Sequence, residues 1–172
     1  RLYRGRGGEL VRVAACRLIE CLARCGAPVA VKTQLRMLDT LDDCACHVVE
    51  DVRGAAIAAL RELGMTYFGR AAEVASERLL NRTVHTYIRL LDSAQNAAAS
   101  RGLGRCVGAL PARILCANDA VLDAALGCLC RRAHRDDVVA GDRDAETRRE
   151  ASSGLRELCA SSCNPASRAP IV

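Results

Sequence analysis

An apolar series with the spacing i, i+3, i+4, i+7, i+8, i+11 recurs along the chain, and that spacing places all six side chains on one face of an α-helix. It first runs through Val11, Ala14, Ala15, Leu18, Ile19 and Leu22, then through Val52, Ala55, Ala56, Ala59, Leu60 and Leu63, 41 residues on (from 11 to 52). A third set, Ala99, Gly102, Leu103, Cys106, Val107 and Leu110, follows 47 residues later (from 52 to 99). A more dilute fourth set, Thr147, Glu150, Ala151, Gly154, Leu155 and Leu158, comes 48 residues after that (from 99 to 147) and shares the tetrapeptide LREL with the second. Periods of about 40 to 47 residues belong to HEAT and armadillo arrays, in which each period is a pair of helices.

Gly26 and Gly64 follow the first two sets and predict helix ends there, and Pro111 closes the third. Other helical stripes lie between: Val31, Leu35 and Leu38; Val84, Tyr87, Ile88 and Leu91; Leu122, Ala125, Leu126 and Leu129. Pro28 suits the first turn of the first of these, and Asp92 with Ser93 suits a turn. The expected fold is all-α: a HEAT/armadillo-type α-solenoid over 1–160, with a leading helix at 9–25 and pairs at 29–64, 72–110 and 116–160. No useful stretch alternates with period two, so no sheet is expected. The tail 161–172, rich in Ser and Pro, is expected to be disordered.

Composition agrees with closely packed helices. Half of the residues are hydrophobic (51%) but only 2% are aromatic, so Ala, Leu, Val, Ile and Cys must fill the core. Eleven cysteines in a chain with no signal peptide at its start suggest thiols in a reducing cytoplasm, several of them on apolar helical positions, such as Cys16, Cys21, Cys106 and Cys128. No apolar run is long enough for a membrane span. The chain opens on Arg1 rather than Met, and is expected to be a piece of a longer protein.

The residue patterns of catalysis and metal binding are weak. Cys44, Cys46 and His47 cluster, and Cys128 and Cys130 form a second C-x-C, but structural zinc prefers C-x₂₋₄-C pairs with four converging ligands. His85 and His134 have no nucleophile near them in sequence. There is no nucleophile elbow and no phosphate-cradling G-x-x-x-x-G-K-[ST] loop. Asp136, Asp137, Asp142 and Asp144 do not follow the calcium-loop order. The expectation is a protein-binding module with no catalytic residue, cofactor or metal. A net charge of +5 with acids mixed among the arginines lacks the concentrated basic stripe and stacking aromatics of a nucleic-acid binder.

The segment EDVRGAAIAALRELG at 50–64 looks like the second helix of a HEAT repeat. Arg12, Arg53 and Arg148 occupy one register position in three copies and are expected to tie neighbouring helices together.

Three stretches resemble the C-terminal HEAT-repeat region of the tubulin-folding cofactor D family: LVRVAACRLIECLA at 10–23, SRGLGRCVGALP at 100–111 and AETRREASSGLRELC at 145–159. The resemblance spans about 10–160, and Gly108-Ala109-Leu110-Pro111 is its most distinctive part. It implies a cytoplasmic chaperone that binds β-tubulin and works with cofactors E and C in αβ-tubulin dimer assembly and disassembly. It also implies binding of a small ARF-like GTPase, and support of GTP hydrolysis by tubulin without a nucleotide site of its own. Arg101, Arg105 and Arg149, which stand in the last two of these stretches, are the candidate partner-binding residues. The alternatives are a general HEAT scaffold of the transport or phosphatase-scaffold type and an RNA-binding helical repeat.

Overall fold

The register that the apolar series predicts is realised as helix after helix. The structure, a computed structural model, describes residues 8–68, 74–93, 97–111, 115, 119–133 and, further on, 149, 152–153, 155–156 and 159. Six long helices are seen among them: α1 Gly8–Arg24, α2 Val31–Ala45, α3 Glu50–Leu63, α4 Val74–Ser93, α5 Ala97–Ala109 and α6 Asp119–Ala133. No strand occurs among the described residues, and the protein is all-α there. As far as residue 133 the helices fall where the apolar series places helices, at 9–25 and within 29–64, 72–110 and 116–160. The fourth apolar set and the tail 161–172 lie largely or wholly outside the described residues; of that set, Leu155 is half-buried against the core.

Helix α3 is the hub. It packs against α1, α2 and α5, while α4 packs against α5 and α6. Being covered on several sides, α3 buries every member of its predicted stripe: Val52, Ala55, Ala56, Ala59, Leu60 and Leu63. Full burial of an aliphatic side chain of Leu size stabilises by about 1.5–3 kcal/mol, so this stripe is a large part of the core. The third set is also fully used, with Ala99, Gly102, Leu103, Cys106 and Val107 buried on α5 and Leu110 buried just after it.

Three expectations need correction. On α1 the buried residues are Cys16, Ile19, Glu20 and Ala23, whereas Val11 and Leu18 stand in solvent. The neighbours α2 and α3 cover only one side of that helix, and the buried stripe is rotated from the one the spacing selected. Gly64 follows the last residue of α3 but makes no left-handed cap: its φ of −62° and ψ of −46° are right-handed helical, and the chain runs on as a π-helical turn, Gly64–Phe68. Among the described residues only Gly26, with φ +64°, makes the left-handed turn a helix-ending glycine is suited to. Pro28 lies outside α2, which starts at Val31 after an extended Ala30.

Candidate functional site

The acidic first turn of α3 organises a polar cluster that joins three elements. Arg53 is buried yet fully engaged: Nη1 donates to the carbonyls of His47 (2.9 Å) and Val48 (2.8 Å), and Nη2 pairs with Glu50. A buried guanidinium is tolerable only when satisfied in this way. The other carboxylate oxygen of Glu50 accepts from Arg105 Nη1 at 2.7 Å. The chain Arg53–Glu50–Arg105 thus fastens the α2–α3 loop, α3 and α5 together.

Close approach at this junction depends on Gly102, one turn before Arg105. A Cβ there would lie 1.7 Å from the Ala45 carbonyl oxygen and 3.3 Å from Arg53 Cδ. Beside the junction, Tyr87 of α4 donates to Asp42 of α2 at 2.7 Å. Burial pushes the Cys106 thiol well above its ordinary range, with Asp42 and Cys46 adding to the effect.

The repeat arginines divide. Arg53 bonds to the carbonyls of the α2–α3 loop and to Glu50 of its own helix, and reaches a neighbouring helix only through the Glu50–Arg105 pair. Arg12, its counterpart, is half-buried and reaches the thiol of Cys44 on α2, with Nη1 to Sγ at 3.9 Å, rather than a carboxylate. Arg148 lies outside the described residues. Of the candidate partner-binding residues, Arg101 and Arg105 share one face of α5 and are half-buried, and Arg105 is committed to Glu50. Arg149 is exposed on a helical residue. The structure therefore gives Arg105 an internal structural partner, a role that its position in the sequence did not indicate. Glu50 is the residue that sequence reasoning missed, and the signal was its place three residues before Arg53 on a helix.

The clustered thiols and imidazoles point in different directions. Cys44 is buried toward α1, while His47 Nδ1 accepts the backbone N–H of Val49 at 3.1 Å. Cys128 is buried and donates to Asp92 at 3.3 Å, whereas Cys130 is exposed. Among the described residues no three His, Cys, Asp or Glu side chains are grouped to hold a metal ion.

A shallow depression of about 650 Å³ lies over α4, lined by His85, Ile88, Arg89, Asp92 and Ser93. His85 and Ser93 are two turns apart, roughly 12 Å along the helix at 1.5 Å per residue, beyond hydrogen-bond reach. Ser93 Oγ instead donates to the Leu90 carbonyl at 3.3 Å. No described helix is long and apolar enough to cross a membrane.

Compared with known proteins, the chain matches no protein-family model and no solved structure.

Proposed function

We propose that the chain is a stretch of HEAT-type α-solenoid whose work is to hold another protein, and that the protein held is β-tubulin. The observation that carries the solenoid is the packing of α3 between α1 and α5, the three helices that bear successive copies of one apolar register. Repetition of that contact builds an elongated array, in which each unit touches only its neighbours and the outer helices form an extended binding surface. The resemblance to the tubulin-folding cofactor D family supports the choice of partner. A net charge of +5 is compatible with the acidic surface of tubulin. Cytoplasmic location, cooperation with cofactors E and C, contact with an ARF-like GTPase and support of tubulin GTP hydrolysis follow from the same resemblance.

The test is retention of purified tubulin by the immobilised chain. Saturable capture of β-tubulin, weakened several-fold by Arg149→Glu, is the expected result. Capture of no tubulin would sink the tubulin reading and leave the general scaffold. Binding to RNA that falls steeply with salt would favour the nucleic-acid alternative.

A further inference from the structure

Free cysteines in a folded chain are mostly buried, and Cys16, Cys44, Cys106 and Cys128 follow that rule. Cys21 and Cys25 break it together: both are free and exposed, and they stand one turn apart at the C-terminal end of α1. The Cys25 N–H donates to the Cys21 carbonyl at 2.9 Å, so the helical register runs unbroken from one to the other although Cys25 lies just past Arg24. Residues four apart in that register share a face, with Cβ atoms about 5–6 Å apart. Neither thiol serves the Arg53–Glu50–Arg105 junction.

We propose that Cys21 and Cys25 form a surface dithiol site for copper(I). Soft thiolate ligands select soft ions, and copper(I) is content with two sulfurs, whereas structural zinc takes four ligands. Among the described residues no third His, Cys, Asp or Glu side chain is grouped with the pair. At a metal–sulfur length of about 2.3 Å, two sulfurs on opposite sides of one ion are about 4.6 Å apart. Side chains whose Cβ atoms are about 5–6 Å apart reach that span. On binding, both S–H bonds break, the protons go to water, two Cu–S bonds form, and copper stays in the +1 state. The complex carries one negative charge, beside the exposed guanidiniums of Arg17 and Arg24, which hold the carboxylate of Glu20 between them.

Both thiols are reached without any opening of the fold, because they lie on the face of α1 that α2 and α3 leave uncovered, together with Leu18. Once one sulfur holds the ion, the second binds within the same molecule, at an effective concentration that no separate thiol matches. The pair therefore binds about a hundredfold more tightly than a single exposed thiol such as Cys130.

The experiment titrates the reduced full chain with copper(I) in the absence of oxygen, against the chromophoric chelator bathocuproine disulfonate. It then alkylates the accessible thiols and maps the peptides by mass spectrometry. Copper(I) should slow alkylation of Cys21 and Cys25 together by about tenfold or more, with Cys130 alkylated at its copper-free rate. Cys21→Ser and Cys25→Ser should each lose one equivalent of tightly held copper, through a fall of about a hundredfold in affinity, whereas Cys130→Ser should keep it. Equal alkylation of Cys21 and Cys25 with and without copper(I) would overturn the proposal, as would protection of only one of the two. That footprint is read on the unaltered chain, so it decides the matter even if a serine variant fails to fold.

Discussion

Two glycines in helices that pack on each other respond oppositely to an added methyl group. At Gly54 on α3 nothing lies within 4 Å of a methyl placed on the backbone, and the position is helix interior. Gly54→Ala should therefore stabilise by about 0.5–1 kcal/mol, because alanine gives up less backbone entropy on folding. At Gly102 the same change drives Cβ into the Ala45 carbonyl, a backbone group that cannot turn aside, so α5 must move from α2. The helix-propensity gain is outweighed, and Gly102→Ala should destabilise by about 1–3 kcal/mol. Urea midpoints of the two variants check both signs, and a stable Gly102→Ala chain would mean that α5 does not approach α2 this closely. Cys106 makes a residue-scale prediction in pH. Its folded value is raised above the ordinary 9.0, so its contribution is complete below that value and is lost as pH rises past it, because the unfolded chain ionises first. Thermal midpoints should fall from pH 9 upward, and Cys106→Ala should flatten that fall. Residue roles were legible where a register position forces them, as for the buried apolar positions of α3. They were not where the partner comes from another helix: neither the Glu50–Arg105 pair nor the contact of Gly102 with Ala45 has a local signature, because both are set by how closely α2, α3 and α5 approach.

Elements were legible through their apolar spacing, and their limits and orientations less so. The period of 3.6 locates α1, yet it cannot say which overlapping stripe will be buried when Ala, Val, Leu and Cys surround the helix; the neighbours decide, and they chose Cys16, Ile19 and Ala23. Gly64 likewise has the composition of a helix end, but the chain continues as a π-helical turn because Tyr67 is wanted beyond it. The Tyr67 hydroxyl donates to the Ala27 carbonyl at 2.7 Å and approaches that of Leu22 at 3.4 Å. These groups belong to the C-terminal end of α1 and the turn after it, where helix carbonyls lack intrahelical partners. Tyr67→Phe keeps the ring and removes the donor, so it should cost about 0.5–1.5 kcal/mol. Hydrogen exchange should localise the effect, with amides at the end of α1 and around Gly26 exchanging faster and those of α5 unchanged. Equal acceleration throughout would assign Tyr67 a packing role instead.

At the scale of the whole molecule, the repeated register is legible because it depends on many residues together, while the role of a given arginine is not, since arginines look alike in sequence whether they stand in solvent or hold an internal carboxylate. The same register also makes a statement about association. Val52 and Ala59 of α3 are fully buried, but their counterparts in α1, Val11 and Leu18, are exposed together with Leu10. A helix face built to the pattern of a covered one is thus open, and contiguous aliphatic surface of this kind drives association in water. Sedimentation of the chain should therefore depend on concentration, with mass rising over about a hundredfold range, as mass action requires. Leu18→Glu should move it toward the monomer, because a charge at the contact must be desolvated on association. The same substitution should alter the unfolding free energy of the monomer by less than about 0.5 kcal/mol, since the side chain is already in water. A wild-type mass that stays monomeric over the whole range would show that the flanking Arg17 and Arg24, each paired with Glu20 at 2.8 and 2.7 Å, keep the face apart.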